Sequence, residues 1–206
     1  MNINPLKIGD LVAKIPIIQG GMGVGVSLSN LAGNVAKHGA IGVISAAHPG
    51  YLEEDFETNT LSANIRGLTK HIKKAKEISS NGIIGVNVMV AMNNYIEHVK
   101  TAIEAGADLI ISGAGLPLNL PDITKGSSIK IAPIVSSSKA ARIILTYWKK
   151  HFNKTADAVI VEGPLAGGHL GFKKDKIDEE TNSFDKNVQS VIEEVKNFEN
   201  EFNKTI

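Results

Sequence analysis

The residues with the most chemistry in them stand together at 162–171, Glu-Gly-Pro-Leu-Ala-Gly-Gly-His-Leu-Gly, directly after the apolar run 158–161. Four glycines, a proline and a histidine suit no regular element. A buried strand that ends in such a turn reads as a strand edge opened to a ligand. His169 is the candidate catalytic base: a neutral imidazole with an ordinary pKa near ~6.5 is matched to taking a proton near pH 7. Gly167 and Gly168 can present backbone N–H groups to an anion, because glycine tolerates unusual dihedrals and close approach. Each residue also has a plainer reading, a tight turn for the glycines and a solvated side chain for the histidine.

Other polar residues stand in or just after apolar runs. Asn87 lies inside 83–89, Ile-Ile-Gly-Val-Asn-Val-Met. A buried carboxamide is costly unless hydrogen-bonded, so a ligand or a neighbouring strand end must satisfy it. Ser112 and Ser136 end two further apolar runs and either contact a ligand or cap the next turn. His48 follows another strand end. His38, His71, His98 and His151 lie on or beside expected helices and read as solvated.

The elements that must position these groups repeat as one unit. Apolar strands are expected at 15–19, 41–45, 83–89, 109–112, 129–135 and 158–161. Helices are expected between them, near 27–38, 61–79, from 93 or 94 to 106, and after 138. Ser27 or Ser29 is expected to cap the first helix with its hydroxyl, and Gly39 to end it in a left-handed conformation. Ile96, Val99 and Ile103 mark one helix face. Ala141, Ile144, Leu145 and Trp148 follow i, i+3, i+4, i+7 spacing, a core-facing stripe. Residues 1–14 read as a leading segment or short lid. A last helix is expected near 187–202, after an acidic, Asn-rich stretch.

The strands are continuously apolar, as in a parallel sheet covered on both faces, and strands alternating with helices mean repeated βα units. An open doubly wound sheet usually announces itself by G-x-G-x-x-G in its first turn; Gly21, Gly23 and Gly25 miss that spacing. Instead, polar and glycine residues follow many different strands, as at the C-terminal face of a (β/α)8 TIM-type barrel. Six strands are found where such a barrel has eight, so an incomplete barrel, or one completed by another chain, is expected over residues 1–206 as a single domain.

Composition narrows the classes. The 206 residues are 43% hydrophobic and 21% charged, with net charge +1 and no cysteine. Disulfides, thiolate metal sites and a cysteine nucleophile are excluded. No global charge draws the chain to nucleic acid or membranes, and lysine runs such as 70–76 lack interleaved aromatics for base stacking. No apolar run approaches the ~18 residues of a membrane helix, nor does the start resemble a signal peptide. A cytoplasmic protein without metal is the default.

Four motifs in order, Pro-Ile-Ile-Gln-Gly-Gly-Met at 16–22, Gly-Val-Asn-Val at 85–88, Ile-Ser-Gly-Ala-Gly-Leu-Pro at 111–117 and above all 162–171, resemble the nitronate monooxygenases, formerly 2-nitropropane dioxygenases. The FMN-dependent enoyl-acyl-carrier-protein reductases share that barrel type. The resemblance covers the first six of the family's eight strands, so the chain is C-terminally truncated relative to the family. It implies FMN at the C-terminal face. Gly20, Gly21 and Met22 would pass the flavin by their backbone, Asn87 would make a polar contact, and Gly167 and Gly168 would approach the phosphate. Glu162 stands at a flavin-contacting position where many members carry Gln. His169 matches the base that takes the α-proton from a nitroalkane. Ser112 and Ser136 are low-ranking substrate candidates. Three activities follow: oxidation of alkyl nitronates, reduction of an enoyl thioester by NAD(P)H, or an inactive fragment or split-barrel subunit needing a partner. A small-molecule substrate and a homo-oligomer or barrel-completing chain are the expected partners.

Overall fold

The computed structural model describes residues 3–80, 82–168 and 171–206. Its centre is a five-stranded parallel sheet in the order β3 (Gly42–Ser45), β4 (Ile84–Met89), β5 (Leu109–Gly113), β6 (Lys130–Val135), β7 (Ile160–Val161). A parallel bridge between Ile18 and Ile41 adds a further strand position beside β3. Strand order therefore follows sequence order with no reversal. A doubly wound sheet needs a reversal; an unbroken parallel succession is an arc of an incomplete TIM-type barrel. The expected strand at 15–19 shrinks to that bridge, because Gln19 turns its own carboxamide onto Val43, and the sixth strand is trimmed to two residues.

The two sheet faces separate by the period-two alternation of strand side chains. Ile44, Ile84, Val86, Val88, Ile110, Ile131 and Val135 point outward into one core with the helices. Val43, Leu109, Ile111 and Ala132 point to the barrel axis in a second cluster. The helices are α1 (Ser29–Lys37), α2 (Thr60–Ser79), α3 (Tyr95–Glu104), the short α4 (Leu120–Ile123), α5 (Ser138–Phe152), the short α6 (Ile177–Asn182) and α7 (Phe184–Phe202). The expected stripe on α5 is buried in full: Ala141, Ile144, Leu145 and Trp148. α7 packs on α5 through Val191 and Phe198, and Arg142 donates twice to Glu194 at 2.9 and 2.6 Å. α7 thus sits as the helix of the sixth βα unit.

The leading segment is not a lid. It is a hairpin, β1 (Leu6–Ile8) and β2 (Leu11–Ala13), whose Ile8 and Ala13 are buried in the axial cluster. Lys130 pairs with Asp10 at 2.7 Å, tying the hairpin to the start of β6. The same end carries one device twice. Asp108 accepts the Ile84 N–H at 2.7 Å and pairs with Lys76. Asp157 accepts the Ile131 N–H at 2.9 Å and the Lys204 ammonium at 2.9 Å. Both aspartates precede a strand and close a donor in the first two residues of its neighbour, a group that would be costly to bury unpaired.

Three local expectations change. The N-cap of α1 is Leu28, with no side-chain cap; Ser27 and Ser29 spend their hydroxyls elsewhere. Gly39 does take φ +89° after α1. On α3 the buried side is His98, Val99, Thr101 and Ala102, with Ile96 45% exposed. His98 is therefore not solvated: it is 2% exposed, because tertiary packing turns α3 by part of a turn from the face that its aliphatic residues mark.

Ser112 sits on β5 with the outward parity. Its hydroxyl is fully buried, donates to the Val88 carbonyl at 3.0 Å and accepts from the Tyr95 hydroxyl at 2.9 Å. Burial pushes the Tyr95 phenol up to about 12, partly offset by that bond to Ser112. An unfolded tyrosine ionises near pH ~10, so between those values the unfolded state has lost a proton that the folded state keeps. Stability must fall as pH rises through this window, by about 1.4 kcal/mol per pH unit. Tyr95→Phe is expected to remove that slope. Chemical denaturation at stepped alkaline pH checks it, and an unchanged slope in the variant would count against the assignment.

Candidate functional site

The C-terminal ends of the strands carry the site. Inward parity at that rim belongs to Ser45, Asn87 and, beyond the end of β7, Glu162. Ser45, Asn87 and Ile111 stand side by side in the register. Asn87 is half-buried.

The turn after Ile18 is fixed from within. The Gln19 carboxamide donates to the Val43 carbonyl at 3.0 Å and accepts from the Val43 N–H at 3.4 Å, mimicking a strand neighbour. It also donates to the Ser27 hydroxyl at 3.0 Å. Ser27 is fully buried. Its hydroxyl donates to the Gly20 carbonyl at 3.1 Å and accepts from the Met22 N–H at 2.9 Å. One donor and two acceptor positions of a hydroxyl are all in use. The backbone of Gly20, Gly21 and Met22 is thereby held as a rigid ledge. Ser27 and Gln19 had no site role in the sequence reading; the signal available was a serine and a glutamine bracketing a run of glycines too flexible to hold a shape alone.

The ledge lies against Asn87. A Cβ on Gly21 would stand 2.5 Å from the Asn87 Cβ and 3.0 Å from its Cγ. Only glycine brings this backbone onto the carboxamide. Gly21→Ala is expected to displace the ledge or Asn87 at a cost of about 1–3 kcal/mol of stability, as is typical of overpacking. Urea unfolding of the variant checks it; an unaltered midpoint would show that the contact does not shape this end of the sheet.

On the far side of the arc, Glu162 continues the ladder past β7, its N–H donating to the Val135 carbonyl at 2.8 Å. Its carboxylate accepts the Gly171 N–H at 2.8 Å. Ser136 has inward parity beyond β6 and is half-buried; its hydroxyl donates to the Gly171 carbonyl at 3.4 Å. The helix cap open to Ser136 from its sequence position is made instead by Ser137, which accepts from the Ala140 N–H at 3.3 Å. Gly167 and Gly168 are exposed, and a Cβ at either would meet nothing within 4 Å, with Gly168 at φ +89°. Their backbone is open to a ligand. Leu165, in the same loop, is 78% exposed. His169, the candidate base, lies outside the described residues.

A rigid glycine ledge, an inward carboxamide and an open pair of glycines thus share one end of the sheet. His48 is exposed, with its ring edge-on to Phe56 at 5.4 Å. A cleft of about 640 Å³ lies elsewhere, lined by Val90, Tyr95, Leu116, Asn119 and Tyr147. It opens on the helical side of the β4 and β5 loops, so it is separate from the axial rim. Among the described residues no helix is long and apolar enough to cross a membrane.

Comparison with known proteins agrees with this fold. Residues 4–196 match the family model described as nitronate monooxygenase. A search of curated protein sequences returns no match. Among solved structures, FabK from Thermotoga maritima is 27% identical, with a TM-score of 0.59 over 76% of this chain and 43% of that one. Nitroalkane oxidase from Streptomyces ansochromogenes is similar in fold, with a TM-score of 0.65 at 18% identity, over 87% of this chain and 56% of that one. The chain thus spans about half the length of these structures.

Proposed function

The chain belongs to the nitronate monooxygenase family, and from that premise we propose that it forms the larger part of an FMN site at which alkyl nitronates or nitroalkanes are oxidised. Flavin-type oxidoreductase chemistry is common ground between the family and its neighbours; the nitro substrate and FMN are the specific reading. The observation that carries it is the Gly20–Met22 ledge, locked by Ser27 and pressed on Asn87 so closely that no side chain fits at Gly21.

In this reading the Gly20–Met22 backbone and the Asn87 carboxamide would hold the flavin ring. Glu162 borders the ring side of the site. Gly167 and Gly168 would offer their N–H groups to the phosphate. Ser136 borders the substrate side, while Ser112 acts one layer out, through Val88 and Tyr95. His169 removes the proton α to the nitro group and holds it on the imidazole, leaving the nitronate in place. When bound, FMN supplies the electron-accepting ring, and oxygen restores it.

The outer edge of β7 and the Ile18 segment are the two ends of the sheet. Unpaired edges are reactive surfaces, and Ile17 is 58% exposed at one of them. A closed barrel of this type has eight βα units, and the loops after its last two typically add to the phosphate site. A cytoplasmic setting suits this chemistry.

The second reading is an enoyl-thioester reductase using NAD(P)H, favoured by the 27% identity to FabK. Anaerobic mixing of the FMN-loaded protein with a nitronate or with NAD(P)H separates the two. Bleaching of the visible flavin band by nitronate alone is expected. Bleaching by NAD(P)H alone would establish the reductase, and a chain that takes up no flavin would establish a scaffold or a subunit that needs its partner.

A further inference from the structure

We infer that Glu162, Ser136 and Asn187 form a clamp on Gly171, and that Glu162 is a positioning residue that fixes where Gly171 stands. The inference rests on the reading above only for what the loop holds; the clamp itself is a matter of contacts.

Four facts build it. First, the Glu162 backbone is fixed by its bond to Val135 at 2.8 Å, so its side chain starts from a rigid strand end. Second, its carboxylate is spent on the Gly171 N–H at 2.8 Å, a charge-assisted bond stronger than a neutral one. Third, Ser136 holds the carbonyl of the same residue, and Ser136 is itself held: the Asn187 carboxamide, near the start of α7, donates to its carbonyl at 2.7 Å. Fourth, the clamp is closed sterically. A Cβ on Gly171 would stand 2.7 Å from the Ser136 hydroxyl, 2.9 Å from its Cβ and 3.0 Å from the Glu162 carboxylate.

The loop therefore leaves and returns at one carboxylate. Its first half turns tightly, with the Ala166 N–H donating to Gly163 at 3.1 Å, and Gly163 abuts Phe184 of α7. Its far end is Gly171. The open glycines 167 and 168 follow the first of these anchors in the chain. An anchor held in advance has little freedom to lose when a ligand arrives beside it, which favours binding. Glu162 thus acts through the loop, and needs no contact with the flavin to affect it.

The test uses the whole chain, nitrogen-15 labelled, without FMN, followed by titration with FMN. Glu162→Ala is expected to speed amide exchange at Gly171 by about tenfold and to shift its resonance, since a charge-assisted bond is lost. Glu162→Gln keeps an acceptor oxygen at the same reach and should restore exchange to within about threefold of the parent. FMN affinity is expected to fall in Glu162→Ala and to recover in Glu162→Gln. Gly171→Ala opens the clamp from the other side and should weaken FMN binding in the same way, which covers the case of a poorly folded Glu162→Ala. An unchanged Gly171 resonance and exchange rate in Glu162→Ala would overturn the clamp. A Gln variant that matches Ala would overturn it too, by showing that charge and not loop shape is at stake. If the parent takes up no FMN while Gly171 responds as expected, the flavin reading fails and the clamp stands.

Discussion

On the proposed reading, replacing His169 with alanine in the FMN-loaded protein is expected to lower turnover of a neutral nitroalkane by about 10²–10⁴-fold, the usual contribution of a positioned base. A nitronate prepared in advance has already lost its α-proton, so its oxidation is expected to be nearly unaffected. The contrast between the two substrates is the measurement, read as oxygen consumption at saturating FMN. Equal losses on both substrates would mean that His169 holds the ligand or the loop and moves no proton.

The largest effect on stability is expected at Trp148. Its ring is fully buried in the outer core between α5 and the sheet, and its indole N–H donates to the Pro117 carbonyl at 3.0 Å. Trp148→Ala removes both, at a cost of about 3–5 kcal/mol, a large share of the ~5–15 kcal/mol that holds a typical domain together. Urea unfolding measures it. Trp148→Phe keeps most of the apolar volume and loses mainly the bond to Pro117, so a loss of about 1–2 kcal/mol is expected. Should the two variants lose equally, the hydrogen bond would carry the anchor and the ring volume little. The anchor holds the loop after β5, which also lines the 640 Å³ cleft, so a weakened anchor should loosen that loop before it touches the axial rim.

Much of the architecture is written locally. Continuous apolar runs at 83–89, 109–112 and 129–135 become β4, β5 and β6, because a strand covered on both faces leaves no room for polar residues. The α5 stripe is legible for the same kind of reason: four apolar positions at helical spacing have one way to be buried together. The glycine-rich turns at 20–22 and 162–171 are also plain, since no regular element tolerates them. Their order along the chain gives the family.

What local pattern cannot supply is parity and partnership. Ser112 and Asn87 both look like polar residues on apolar strands. Only the sheet register shows that Asn87 faces the barrel axis while Ser112 faces α3 and is satisfied by Val88 and Tyr95. Ser27 reads as a helix cap from its place before α1, and becomes the pin of the glycine ledge because Gln19, Gly20 and Met22 fold back onto it. His98 reads as solvated and is buried, because packing against its neighbours sets the rotation of α3. Residues 3–14 carry no strong period, and become a hairpin only where the axial cluster offers an apolar floor. The sequence alone determined the βα succession, the positions of the glycine turns and the family they belong to, since each follows from the chemistry of adjacent residues. The tertiary structure alone decided which side of the sheet each polar group faces and that Glu162 closes on Gly171, since those depend on strand register and on contacts between residues far apart along the chain.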